Sequence, residues 1–192
     1  FWEMVAHLHG ETWNASKIAS SLGVSAPTAS HYLDILSDTF VLRQLRPYYR
    51  NVKKRLVKSP KVYIRDSGLL HALLRVDSWD GLLGHPSLGA SWEGWVIEQI
   101  VASAGRAFRP WFYRTAAGAE IDLVMEPMAG RAILAFEIKH SSSPAPTRGF
   151  WSGLGDLPGA RGFVVAPIRE RFPLGHGAYA IPVAEALRLV RG

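Results

Sequence analysis

Glu120-Ile121-Asp122-Leu123-Val124-Met125 and Leu134-Ala135-Phe136-Glu137-Ile138-Lys139 are the two stretches that decide the fold. Both read as strands, in which residues i and i+2 share a face. Glu120 and Asp122 therefore fall on one face of the first strand, and Glu137 and Lys139 on one face of the second. Ile121, Leu123, Met125, Leu134, Phe136 and Ile138 make an unbroken apolar set on the other side. A hairpin turning near Met128-Ala129-Gly130 unites the charged pairs on a common face only if even-numbered residues pair with odd. Asp122 is then expected opposite or diagonal to Glu137. The apolar side would meet the core and the acidic side a cleft.

Carboxylates crowded on one sheet face make poor packing. Like charges a few ångströms apart raise each other's pKa unless a cation intervenes. Hard carboxylate oxygens without Cys or His favour Mg²⁺ or Mn²⁺. Such an ion lowers the pKa of bound water and polarises a phosphoryl oxygen. Lys139 can orient the attacking water or stabilise developing charge. The competing reading of Glu137 and Lys139 is a cross-strand ion pair. After residue 80 the chain has ten Arg and one Lys, which is Lys139. Lys and Arg differ chemically, so the exception leans towards function.

Further strands are expected at 108–113, 162–166 and 178–181. Helices are expected at 92–104, 150–157 and 183–190, and a Ser/Pro loop at 141–147. The first 65 residues read as three helices followed by two strands. Asn14 caps the second helix, with Ile18, Ala19 and Leu22 inward, and Gly23 ends it. Ser25 opens the third, with Pro27 in its first turn and Ala29, Leu33 and Leu36 buried. Thr28, His31 and Asp34 fall elsewhere on the wheel and can face a groove. Helix, Gly-containing turn and helix form the helix-turn-helix pattern. Residues 40–45 and 61–64 would be the strands of a wing, with Tyr48 and Tyr49 near its loop. A helix at 66–76 links to a turn-rich boundary at 77–84. The expected domains are residues 1–80, a winged helix with a linking helix, and residues 81–192.

The chain has 192 residues and a net charge of +6, so it can bury a core. It has no cysteine, which excludes disulfides and thiolate metal sites. No apolar run approaches the roughly 20 residues of a membrane span. No signal peptide is evident, so a soluble cytoplasmic protein without a membrane partner is expected. The opening residue is Phe1 rather than Met, so a fragment of something longer is expected. Between Arg43 and Arg65 there are nine Lys or Arg and no Asp or Glu. That block points to an anionic partner, most often nucleic acid and here DNA. Arg50, Lys53, Lys54 and Arg55 would contact phosphates, with Thr28 and His31 in the groove.

The pattern resembles the PD-(D/E)xK nuclease superfamily, which has an acidic residue on the first helix, Asp on the second strand and Glu-x-Lys on the third. Glu93, Asp122, and Glu137 with Lys139 match those positions. More closely, the chain is similar to the uncharacterised C-terminal domain of a bacterial and archaeal group of AAA+-type ATPases. The strings that carry this are Ser59-Pro60-Lys61-Val62-Tyr63, Asp66-Ser67-Gly68-Leu69, Trp92-Glu93-Gly94-Trp95-Val96, Tyr113-Arg114-Thr115 and Gly118-Ala119-Glu120-Ile121-Asp122. The resemblance implies an α/β (α+β, mixed-sheet) chain. Its restriction-endonuclease-like αβββαβ core would follow a winged helix-turn-helix. It also implies an upstream ATPase module, although no Gly-x-x-x-x-Gly-Lys-Ser/Thr string for ATP lies in this chain. Glu93, Asp122 and Glu137 would hold Mg²⁺ or Mn²⁺ and Lys139 would assist the water, giving a nuclease. Glu98 is the rival of Glu93. Glu120 has three open roles: metal ligand, carboxylate behind the ligands, or salt-bridge partner of Arg114. The alternative function is a non-catalytic docking or regulatory module of the ATPase.

Overall fold

The computed structural model describes residues 1–49 and 55–191. The chain is a mixed α/β protein that forms two compact units. One comprises Phe1–Leu45 and Ser59–Trp95, the other Arg46–Lys58 and Val96–Gly192.

The first unit contains helices α1 (Trp2–His7), α2 (Ala15–Leu22) and α3 (Ala26–Asp38), and strands β1 (Leu42–Leu45) and β2 (Lys61–Ile64). Helices α4 (Ser67–Leu73) and α5 (Trp79–Leu83) follow, with the start of α6 (Leu88–Ala104). Helix α2 forms where its ends are satisfied. The Lys17 N–H donates to the Asn14 side chain, and Gly23 closes the helix at φ 67°. Helix α3 is capped by Ser25, whose hydroxyl accepts from the Thr28 N–H. Ala29, Leu33 and Leu36 are its buried stripe, packed with Val5, Ile18, Leu42, Val62 and Leu70. Strands β1 and β2 pair antiparallel from Leu42 opposite Ile64 to Leu45 opposite Lys61.

The second unit is built on β3 (Phe108–Arg114), β4 (Glu120–Pro127), β5 (Leu134–Ile138), β6 (Arg161–Ala166), β7 (Phe172–Gly175) and β8 (Ala178–Pro182). Helix α7 (Arg148–Gly155) links β5 to β6, and α8 (Val183–Arg191) follows β8. The six strands lie in the order β3-β4-β5-β6-β8-β7. Pairing is antiparallel from β3 to β5, parallel from β5 through β6 to β8, and antiparallel for β7. Strands β4 and β5 pair Leu123 with Phe136, Val124 with Ala135 and Met125 with Leu134, even with odd. Ile121, Leu123, Met125, Leu134, Phe136 and Ile138 are all buried. Val124 and Ala135 are buried too, in one cluster with Ile121, Phe150 and Leu157. The pairing with β3 steps two residues from Trp111 to Tyr113 but three from Val124 to Ile121, a bulge that breaks the expected alternation of β4 and turns Ile121 to the side of Val124. The sheet is therefore covered on both faces along its middle, and only the strand ends can carry a polar site.

Three elements depart from expectation. Helix α5 forms within the turn-rich boundary expected at 77–84, and strand β7 forms at Phe172–Gly175, where no element is expected. Helix α6 begins at Leu88 rather than Trp92. The 46–58 segment, in its described residues, has backbone partners in the second unit. It pairs with the outer strand β3 at both ends: Tyr48 N–H donates to Phe112 O at 2.8 Å and Val57 N–H to Arg114 O at 3.1 Å. The edge of the sheet is thereby covered by a strap from an earlier part of the chain.

Helix α7 lies close against β4 through Gly153. A Cβ there would sit 2.9 Å from Ile121 Cγ1 and 3.1 Å from its Cδ1. Gly153→Ala gains about 1 kcal/mol of helix propensity. Overpacking a buried contact costs about 1–3 kcal/mol, so the contact wins. Urea unfolding should show a net loss of about 1 kcal/mol.

Candidate functional site

Strands β4 and β5 bring Asp122, Glu137 and Lys139 together. The β4–β5 ladder runs as far as Leu123 opposite Phe136, and Asp122 and Glu137 are the next residues on the two strands. Asp122, partly buried, accepts the Ile138 N–H on Oδ2 at 2.9 Å. Its second oxygen is not used in that bond. Glu137 is 4% exposed, so it lies within the fold rather than along an open cleft. Both its oxygens accept the Thr147 N–H, at 3.3 and 3.0 Å. Thr147 is the N-cap of α7 and takes the Phe150 N–H on its own hydroxyl. The helix start thus holds the carboxylate in place. Lys139 Nζ lies 2.9 Å from Glu137 Oε1, with a third of its side chain exposed. Its backbone N–H donates to Val165 O at 2.9 Å, continuing the ladder towards β6.

Sequence reasoning had no route to Thr147 as the group behind Glu137. The local signal was present, a Thr preceding a helix, but the contact is tertiary.

Glu93 belongs to the first unit, and its surroundings there are defined. Its Oε1 accepts Tyr63 OH at 2.6 Å and lies 3.3 Å from Lys61 Nζ. Tyr63 is fully buried and Lys61 is 4% exposed. Glu98, on the part of α6 in the second unit, is buried. Glu120 lies 3.5 Å from Arg114 Nε, so the salt bridge is the one of its three open roles seen in the geometry. Among the described residues, no group of three or more His, Asp or Glu is placed to hold a metal ion. The two-carboxylate arrangement of Asp122 and Glu137 still suits Mg²⁺. That ion commonly takes one or two carboxylates, with waters and substrate phosphates completing the shell.

Below the site, Tyr113 donates to Asp156 Oδ2 at 2.8 Å. Burial raises the Tyr113 pKa, and the Asp156 carboxylate raises it further.

The residues expected to touch nucleic acid are scattered. Thr28 Oγ1 lies 2.7 Å from Ser25 Oγ at the start of α3, and His31 is exposed on that helix. Arg55 is exposed on the strap of the second unit. Arg50, Lys53 and Lys54 lie outside the described residues. No helix among the described residues is long and apolar enough to cross a membrane.

Residues 1–80 match the model of a domain of unknown function, DUF8612. Residues 88–186 match that of another, DUF4143. The chain is 46% identical over 187 residues to Uncharacterized protein Mb2031c of Mycobacterium bovis. The same identity and length relate it to Uncharacterized protein Rv2008c of Mycobacterium tuberculosis. In each case the match covers 97% of this chain but only 42% of the relative. No solved structure matches the chain. Since the DUF4143 model spans more than half of its residues, the chain belongs to the DUF4143 family.

Proposed function

We propose that the second unit is a divalent-metal-dependent phosphodiesterase that cleaves nucleic acid. The observation that carries this reading is the Asp122 carboxylate on the N–H of Ile138, the residue between Glu137 and Lys139, with Lys139 Nζ 2.9 Å from the Glu137 carboxylate. The order α6-β3-β4-β5-α7-β6 supports a PD-(D/E)xK nuclease core, because it is the αβββαβ order with the acids on its second and third strands. The α2–α3 pair followed by β1 and β2 supports a winged-helix relative in the first unit. The ATPase module implied by the resemblance is the proposed upstream partner.

Asp122 and Glu137 would hold Mg²⁺ or Mn²⁺. Bound there, the ion would supply an activated water and a polarised phosphoryl oxygen. The chain's own groups are pre-arranged for their part. The Ile138 N–H orients Asp122, and the Thr147 N–H orients Glu137. Lys139 contributes a cation that can hold the attacking water and offset charge developing on the phosphorus oxygens.

The burial of Glu137, with a backbone donor on both oxygens, favours a second reading. In it the unit is a non-catalytic docking module of the ATPase. End-labelled DNA and RNA incubated with the protein and Mn²⁺ or Mg²⁺ decide between them. Metal-dependent cleavage that Asp122→Asn and Lys139→Ala lack supports the phosphodiesterase. Equal cleavage by the variants, or none by the wild type, supports the docking module.

A further inference from the structure

We propose that nucleic acid is gripped by the strap on the edge of the second unit's sheet, through Arg46, Tyr49, Arg55 and Lys58 beside Arg109, rather than by the α2–α3 pair. This rests on the reading of nucleic acid as the substrate and names the surface that takes it.

Charge is the first argument. Residues 1–42 contain four Asp or Glu and one Lys. Helix α3 has no Lys or Arg, and its Asp34 and Asp38 are exposed. The Thr28 hydroxyl is engaged at the cap, and Asp34 accepts the Gln44 amide at 2.9 Å. A phosphate backbone approaching that helix meets negative charge. The strap has the opposite character: residues 46–58 contain no Asp or Glu. Arg46, Arg55 and Lys58 are exposed on it, and Arg109 is exposed on β3.

Geometry is the second. The strap is tied to the sheet at both ends. Phe112 N–H donates to Arg46 O at 3.0 Å and Ala116 N–H to Arg55 O at 2.9 Å. Tyr48 is buried at its base. Tyr49 is 55% exposed, and its hydroxyl donates to Lys58 O at 3.3 Å. That bond ties Tyr49 to the backbone of Lys58 and leaves the ring open to solvent, as a stacking platform for a base. Glu126 lies opposite Arg109 in the β3–β4 register and offsets part of its charge, so Arg46, Arg55 and Lys58 carry the grip.

The edge also discriminates between occupants. A peptide that adds a strand needs unpaired backbone groups on an edge. Here Phe112 and Arg114 already exchange backbone bonds with the strap. What remains is side-chain cations and an aromatic ring, which suit a phosphate chain with bases.

The test is fluorescence anisotropy of the full chain with labelled 20-nucleotide single strands and duplexes, in EDTA, across a salt series. Each phosphate contact contributes about 0.9 to the slope of log affinity against log salt on duplex, and about 0.7 on single strands. The triple variant Arg46→Gln, Arg55→Gln, Lys58→Gln should flatten the slope by about 2–3. Each single variant should flatten it by about 1. Should the triple variant fail to fold, the singles carry the test. Tyr49→Ala should weaken single strands more than duplexes, and Lys17→Gln in α2 should leave the slope as in the wild type. Wild-type slopes in the strap variants would overturn the proposal. So would loss of binding on Thr28→Glu or His31→Glu with the strap intact, and so would polyglutamate or anionic vesicles binding as tightly as DNA. Because this assay excludes metal, binding is read apart from cleavage: strap-dependent binding here, with no cleavage in the Mn²⁺ or Mg²⁺ assay, would refute the phosphodiesterase and support this surface.

Discussion

Asp122→Asn is expected to lower metal-dependent cleavage by roughly 100-fold or more. Lys139→Ala should do about the same, since single charge-stabilising groups in preorganised sites contribute about 10²–10³ in rate. The two losses differ in origin, and the metal titration separates them. Asn keeps the shape of Asp122 and can still accept the Ile138 N–H through its carbonyl oxygen. It removes the charge that a hard cation requires. The Asn variant should therefore need more Mn²⁺ for half-maximal rate. Lys139→Ala leaves both carboxylates in place and takes a cation away from Glu137. Its metal requirement should stay level or fall while its rate at saturating metal drops. Lys139→Arg should recover little, because the planar guanidinium does not replace a compact ammonium. The reading fails if rate and metal midpoint in the Asn variant match the wild type.

The part of the site that was legible in the sequence is the part set by short-range pattern. The even-with-odd register of Leu123, Val124 and Met125 against Phe136, Ala135 and Leu134 is the one the pattern calls for. The bulge between Ile121 and Val124, which puts Ile121 in the cluster of Val124, has no local signature, and burial of both faces hides which side is the core. Caps were local: Asn14, Gly23 and Ser25 stand where α2 and α3 start and stop. Helix α5 was hidden because five residues containing Gly81 and followed by Gly84 look like a turn. Strand β7 was hidden because Pro173 and Gly175 are strand-poor residues, tolerated only because β7 is an outer strand paired on one side. The strap has no local signature at all. Its arms form where the edge of β3, more than fifty residues on, offers hydrogen bonds. The surroundings of Glu93 are tertiary in the same sense. A buried lysine and tyrosine on β2 cannot be read from the string Trp-Glu-Gly-Trp.

Those surroundings give Glu93 a distinct prediction. Glu93→Ala should destabilise the first unit by about 3 kcal/mol, of order 10 °C in its melting midpoint. Lys61 is almost wholly buried, and removing one member of a buried ion pair costs far more than the pair contributes net. Tyr63 OH loses its 2.6 Å acceptor in the same step. Glu93→Gln keeps an acceptor for the tyrosine but not the charge facing Lys61, so its loss should be about half as large. Removing both charges should rescue the fold. Lys61→Met combined with Glu93→Gln removes both charges, and apolar replacement of a buried pair is commonly neutral or stabilising. The double variant should therefore be more stable than Glu93→Gln alone, with a coupling of about 1–2 kcal/mol in a double-mutant cycle. A metal ligand would behave otherwise. If Glu93 held a cation with Asp122 and Glu137, its substitution would raise the metal needed for cleavage while leaving the metal-free melting midpoint near wild type. Lys61→Met would then rescue nothing. Thermal unfolding in EDTA, beside a Mn²⁺ titration of cleavage, puts the two roles of this one carboxylate on separate axes.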